Sequence, residues 1–109
     1  MPYTLSEDYR LKRLAELASS AQTVLDVGCA HYPNKFLLNP KVTGLDLEDA
    51  SLPNNYKLFI NSDVSKLPES KLHYDAVIAG EILEHLEEPI EFLRNCRSCL
   101  NENGKIILS

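Results

Sequence analysis

Four short apolar runs, each closing on a glycine or a carboxylate, constrain this chain more than any other feature. They are Thr23–Val27 before Gly28, Lys41–Asp46, residues 56–60 before Asn61-Ser62-Asp63, and residues 75–79 before Gly80-Glu81. Runs of this length that are apolar on both alternating faces read as strands buried on both sides. Residues 105–108 begin a fifth such run, and Ser109 follows it.

The stretches between them carry a helical period instead. In residues 6–20, Leu11, Leu14, Ala15 and Ala18 recur at i, i+3, i+4 and i+7, which gives one apolar stripe. Thr4 with Glu7 fits a capping box ahead of it. Pro33 predicts a short helix over 33–38, ended by Asn39-Pro40. A short helical piece is expected over 81–86. Pro89 fits the first turn of another helix, with Glu87 and Glu88 near its positive end. Its stripe is Pro89, Leu93, Cys96 and Leu100, flanked by Phe92 and Cys99, and Asn103-Gly104 is expected to end it.

Strands alternating with helices imply a parallel sheet covered on both faces. Right-handed crossovers then give a doubly wound, Rossmann-like α/β fold. A chain of 109 residues is one domain, with a helical part over 1–20 and the sheet core over 23–109. The apolar runs are far shorter than the roughly 20 residues of a membrane helix. Residues 1–13 lack an apolar signal core, which predicts a cytoplasmic protein. The net charge of −5 gives no bulk attraction for a phosphate backbone and argues against a nucleic-acid partner. Arg10, Lys12 and Arg13 form the densest basic cluster, read as a solvated helix face. Three cysteines without an export signal argue against a disulfide framework. Cys96 and Cys99 have CxxC spacing but no second pair to complete a zinc site, and read as small buried residues.

Ligands in doubly wound folds bind at the carboxyl ends of the strands. Asp26, Asp46, Asp63 and the Gly80-Glu81 pair would all be carried to that edge. A carboxylate at the second strand end can accept hydrogen bonds from both hydroxyls of a ribose. One after the third can accept from an adenine amino group. Gly28 lets backbone approach a ligand where a side chain would clash, and Asp26 can organise that loop and attract an ammonium group. Singly, each has a plainer reading as a turn residue or helix cap. Four in register, at strand-and-crossover spacing, are harder to dismiss.

Val24-Leu25-Asp26-Val27-Gly28-Cys29-Ala30 resembles the first motif of the class I S-adenosylmethionine (SAM)-dependent methyltransferases. Val42–Leu47, Asp63–Pro68, Tyr74–Leu86 and Gly104–Leu108 resemble their second strand, adenine loop, fourth-strand motif and fifth strand, the fourth in its small-molecule and glycan-type form. The likeness implies a sheet in the order 3-2-1-4-5 and SAM as cofactor. Asp26, Gly28, Cys29 and Ala30 would border its methionine part and Asp46 its ribose. Leu47 would pack on the adenine, Asp63 and Val64 would contact the adenine edge, and Gly80 and Glu81 would lie near the sulfonium.

Two departures stand out. Ala30 and His31-Tyr32-Pro33 replace further glycines of the first motif; of the dinucleotide pattern G-x-G-x-x-G only Gly28 is present, which weighs against an NAD-binding oxidoreductase. The family's sixth and seventh strands are absent, so the chain reads as a fragment, or as a domain completed by another chain. The fifth strand would then be an edge open to pairing between copies.

Glu81, Glu84 and His85 can share one helical face. His85 as general base, a divalent metal site like that of small-RNA 2′-O-methyltransferases, and a structural role compete. The metal set lacks a downstream histidine, so no metal is expected. The expected function is methyl transfer from SAM to a small-molecule or sugar-type acceptor. Its rival is a non-catalytic methyltransferase-like domain that binds nucleoside or serves assembly.

Overall fold

The computed structural model describes residues 5–69, 71–80, 82 and 85–109. Helix α1 (Leu5–Leu17) leads into β1 (Thr23–Val27), β2 (Lys41–Asp46) and β3 (Tyr56–Asn61). A 3-10 helix (Val64–Glu69) precedes β4 (Tyr74–Ala79), and α2 (Pro89–Arg97) precedes β5 (Leu100–Leu108). The five strands pair in the order β3-β2-β1-β4-β5, every pair parallel. That is the doubly wound sheet expected. Among the described residues there is no sixth or seventh strand, and no helix long and apolar enough to cross a membrane.

Alternation along the strands builds a separate core on each face. Val24 of β1, Val42 of β2 and Ala76 and Ile78 of β4 pack against Leu14 of α1 and Ala18 of the turn that follows it. Leu25 and Val27, Leu45, and Val77 and Ala79 pack on the other face with Phe92, Cys96 and Cys99. The apolar stripe read on the first helix is therefore real: Leu11, Leu14 and Ala18 are buried. The helix ends earlier than expected, at Leu17, and 18–20 form a turn. Thr4, the expected cap, lies outside the described residues.

Two elements differ from expectation. Residues 33–38 are not helical. The Asn34 side chain accepts the Phe36 N–H at 3.0 Å and so commits to a local turn the amide that would continue a helix. Helix α2 stops at Arg97 rather than near Gly104, because the Tyr74 N–H takes the Cys99 carbonyl at 2.8 Å and draws the chain into the sheet. Leu100 thus opens β5 instead of extending the helix stripe. Asn103-Gly104 marks an irregularity within β5, where Tyr74 pairs with Leu100 but Ala76 with Lys105, and Asn103 takes φ 66°.

The amino ends of the strands are stapled by Asp75. Its carboxylate accepts from the Asn101 amide at 2.9 Å and from the Gln22 N–H at 2.9 Å, which holds its pKa below the usual carboxylate range. The carboxyl ends are left for the site.

Candidate cofactor site

Gly28 turns the chain out of β1 with φ 78°, a left-handed conformation that strains any residue with a side chain. Its N–H donates to the Leu45 carbonyl at 2.8 Å, so the turn is held against the end of β2. Two residues on, the Ala30 N–H donates to Asp46 Oδ2 at 2.8 Å, while the Glu48 N–H donates to Oδ1 at 2.9 Å. Asp46 therefore organises both the loop after β1 and its own. A carboxylate offers about four acceptor positions, so Asp46 retains capacity for a pair of hydroxyls.

Two clefts meet at Val27 and Gly28. The larger, about 260 Å³, is bordered by Arg10, Asp26, Asn34, Gly80 and His85. The smaller, about 120 Å³, lies between Asp46, Leu47, Asp63, Val64 and Ile82. Leu47 is 70% exposed, an apolar side chain standing free over the smaller cleft. Asp63 Oδ1 accepts the Ser65 N–H at 3.0 Å, so the residue also caps the 3-10 helix. Its plain reading and its ligand reading are compatible, since a second oxygen remains.

The residues named from sequence thus sort into two groups around Gly28. Asp26, Gly80 and His85 line the larger cleft, and Asp46, Leu47, Asp63 and Val64 the smaller. Cys29 and Ala30 shape the loop between them but line neither. The Cys29 thiol is buried and packs into the space over Gly44: a Cβ there would lie 2.7 Å from its Sγ. Burial pushes that thiol up to about 12, so it is a packing group rather than a nucleophile. Cys96 and Cys99 are likewise buried free thiols. Glu81 and Glu84 lie outside the described residues; among those described, no group of three or more His, Cys, Asp or Glu side chains is placed to hold a metal.

Arg10 and Asn34, which line the larger cleft, and Tyr56, which bonds to Asp26 behind it, were not singled out from sequence as site residues. Arg10, grouped there with a solvated basic face, is only partly exposed and turns inward; a Cβ on Gly80 would lie 2.7 Å from its guanidinium. Tyr56, read as a strand residue, donates its hydroxyl to Asp26 Oδ2 at 2.5 Å. Asn34, 1% exposed, donates its backbone N–H to that same hydroxyl at 2.7 Å and its side-chain amide to the Leu11 carbonyl at 2.9 Å. Burial is the main force on Asp26 and raises its pKa to about 7, against the opposing pull of the Tyr56 hydrogen bond and the Arg10 charge. The Tyr56 hydroxyl, buried beside that carboxylate, is pushed far above its usual range.

A parallel 3-2-1-4-5 sheet, with carboxylates at the ends of successive strands and a two-part cleft over the first, defines a Rossmann-like nucleoside-binding core. Comparison with known proteins makes this specific: the model of the methyltransferase domain matches residues 3–109, and the chain belongs to that family. It is similar to the ubiquinone biosynthesis O-methyltransferase of Marinobacter nauticus, 29% identical over 116 residues, which cover 92% of this chain and 49% of the relative. The N-methyltransferase NodS from Bradyrhizobium japonicum, solved with S-adenosylhomocysteine, superposes with a TM-score of 0.70 at 15% identity over 94% of this chain and 59% of NodS. The N-terminal domain of EvdMO1, solved with S-adenosylhomocysteine and D-fucose, gives 0.68 at 20% identity over 98% of this chain and 51% of that one. The chain spans about half the length of the curated relatives it matches. The resemblance to class I methyltransferases read from the motifs is met in family and in fold.

Proposed function

We propose that this chain binds SAM and forms the cofactor half of an enzyme that methylates a small-molecule or sugar-type acceptor. The observation that carries this reading is the pair of clefts joined at Gly28, one charged and one apolar, because SAM has the same division. The residues fit each part. Asp46 suits the ribose hydroxyls, Leu47 the adenine face, and Asp63 and the Val64 N–H the adenine edge. Asp26 suits an ammonium, and the Arg10 guanidinium in the same cleft suits a carboxylate.

Bound here, SAM would supply an activated methyl group on a sulfonium. The protein's task is then alignment and exclusion of water, with no covalent nucleophile required. Gly80 keeps side-chain bulk away from the end of β4. His85 lines the same cleft and is the candidate to take a proton from the acceptor. A small-molecule or sugar-type acceptor is in keeping with neighbours of the same fold, one solved with D-fucose and others being plantazolicin methyltransferases. β5 is the edge along which a second chain or further strands would pair.

Calorimetric titration with S-adenosylhomocysteine tests the first claim. Saturable binding by the folded chain is expected, and no binding by a folded chain sinks it. Binding without transfer of labelled methyl to a panel of sugars and phenols would move the reading to a nucleoside-binding domain.

A further inference from the structure

Tyr56 stands at the start of β3, yet its hydroxyl reaches a carboxylate on β1, two strands away in the sheet. Room for this crossing is made by Gly44 of β2, where a Cβ would lie 3.2 Å from the Tyr56 ring. The hydroxyl is used fully: it donates to Asp26 and accepts from the Asn34 N–H. Asn34 in turn holds α1 through the Leu11 carbonyl, and Asn55 donates to the carbonyls of both Asn34 and Leu37. One phenol therefore fastens three walls of the larger cleft: the end of β1, the irregular segment after it, and α1.

We propose that Tyr56 is the positioning residue for the amino-acid end of the cofactor, holding the Asp26 carboxylate in place to receive the ligand's ammonium. This rests on the SAM-binding reading. No helix follows β1 directly in the described chain, so backbone N–H groups of a helix end are not there to orient an amino-acid ligand. Side-chain hydrogen bonds take over that role. The hydroxyl donates to Asp26 in its ionised form and so favours the form an ammonium requires.

The charged and titratable groups facing Asp26 are Arg10 from α1, Asp46 from β2, Tyr56 from β3 and Cys29 from the loop after β1. His31 and His85 border the same cleft. An ammonium ligand binds the ionised carboxylate, so affinity should rise with pH and level off above about 7. Removal of the Tyr56 hydroxyl takes away an interaction that lowers the Asp26 pKa, so the midpoint should move up.

The test compares S-adenosylhomocysteine with 5′-methylthioadenosine, which keeps the nucleoside and lacks the amino acid, on the wild-type chain and on Tyr56→Phe across pH 6 to 8. Tyr56→Phe should weaken S-adenosylhomocysteine about tenfold above neutrality while changing methylthioadenosine by less than about twofold. The midpoint of the preference between the two ligands should rise. Equal weakening of both ligands, or an unmoved preference and midpoint, overturns the inference while the cofactor reading survives. Should the phenylalanine variant not fold, Asp26→Asn decides, because it keeps an acceptor for Tyr56 but removes the charge. A flattened pH profile supports the proposal; a persisting one shows that a group other than Asp26 sets the pH dependence and overturns it. A wild-type chain that binds neither ligand removes the cofactor reading, and this inference with it.

Discussion

The two halves of the cleft are built by different means. The nucleoside half rests mainly on local devices: Asp46 takes the N–H two residues on besides that of Ala30, Asp63 takes the N–H two residues on, and Leu47 lies exposed beside them. The amino-acid half rests on contacts between distant stretches, with Asp26 and Tyr56 30 residues apart and Asn34 and Leu11 23 apart. The first half is open and cheap to form, because short polar side chains satisfy their neighbours. The second is buried, and each of its polar groups depends on a partner from another element. The comparison teaches that one ligand site can be half local motif and half tertiary structure, with different vulnerabilities.

The contrast breaks most sharply at Asp46. Asp46→Ala should weaken both S-adenosylhomocysteine and methylthioadenosine about a hundredfold, since two hydrogen bonds to a charged acceptor are lost from the shared nucleoside; calorimetry reads it. Equal losses for the two ligands place the residue in the nucleoside half, as expected.

Asp26→Asn should act on stability in a pH-dependent way. The folded pKa of Asp26 lies above its unfolded value, so the folded state retains the proton longer and the wild type loses stability as pH rises from about 4 to about 7. The variant is free of that loss. Its stability relative to wild type should improve by about 2 kcal/mol between pH 5 and pH 8, measured by urea unfolding. A constant difference would show that Asp26 does not titrate in this window.

Gly44→Ala sharpens the comparison from beneath. The new Cβ would meet Cys29 Sγ and Leu52 Cδ1, each at 2.7 Å. Overpacking of this kind costs about 1–2 kcal/mol, read as a lower urea midpoint. The displaced Tyr56 should carry the cost into S-adenosylhomocysteine affinity more than into methylthioadenosine.

The smallest effect is expected where the halves touch at the surface. His31 Nε2 and Glu48 Oε2 lie 2.9 Å apart, with both side chains more than 60% exposed. Exposed pairs are worth little. His31→Ala should change stability by less than about 0.5 kcal/mol, and a larger change would make this pair part of the site.

This division also explains what the sequence disclosed. Strand–helix alternation gave β1 and β2 to the residue and set Asp46 and Asp63 at or just past strand ends, while the sheet order and the roles expected of Leu47 and Val64 came from the resemblance to the class I methyltransferases. Tyr56 and Asn34 stayed hidden because their meaning lies in partners brought near by parallel pairing. A tyrosine at a strand start reads as ordinary strand material, and Pro33-Asn34 as a helix opening. One signal was available: in the folded register Tyr56 shares the face of Val24 and Asp26, so a phenol and a carboxylate meet among apolar neighbours. Arg10 was obscured by its companions Lys12 and Arg13, which are exposed while it is not. The end of α2 was misplaced because Asn103-Gly104 suits a helix stop and a strand irregularity equally well.

The distance in sequence between Asp26 and Tyr56 has a consequence in time. Parallel strands have no tight hairpin to start them, and each pairing must close a long crossover first. The phenol cannot reach its carboxylate until β3 has docked on β2 and β2 on β1. Asp46 and Leu47 can be in place as soon as the first two strands meet, whereas Asp63, Val64 and the Tyr56 contact arrive only with the third. A chain caught between these steps would hold its ribose carboxylate ready while both the base edge and the amino-acid pocket were still to be built.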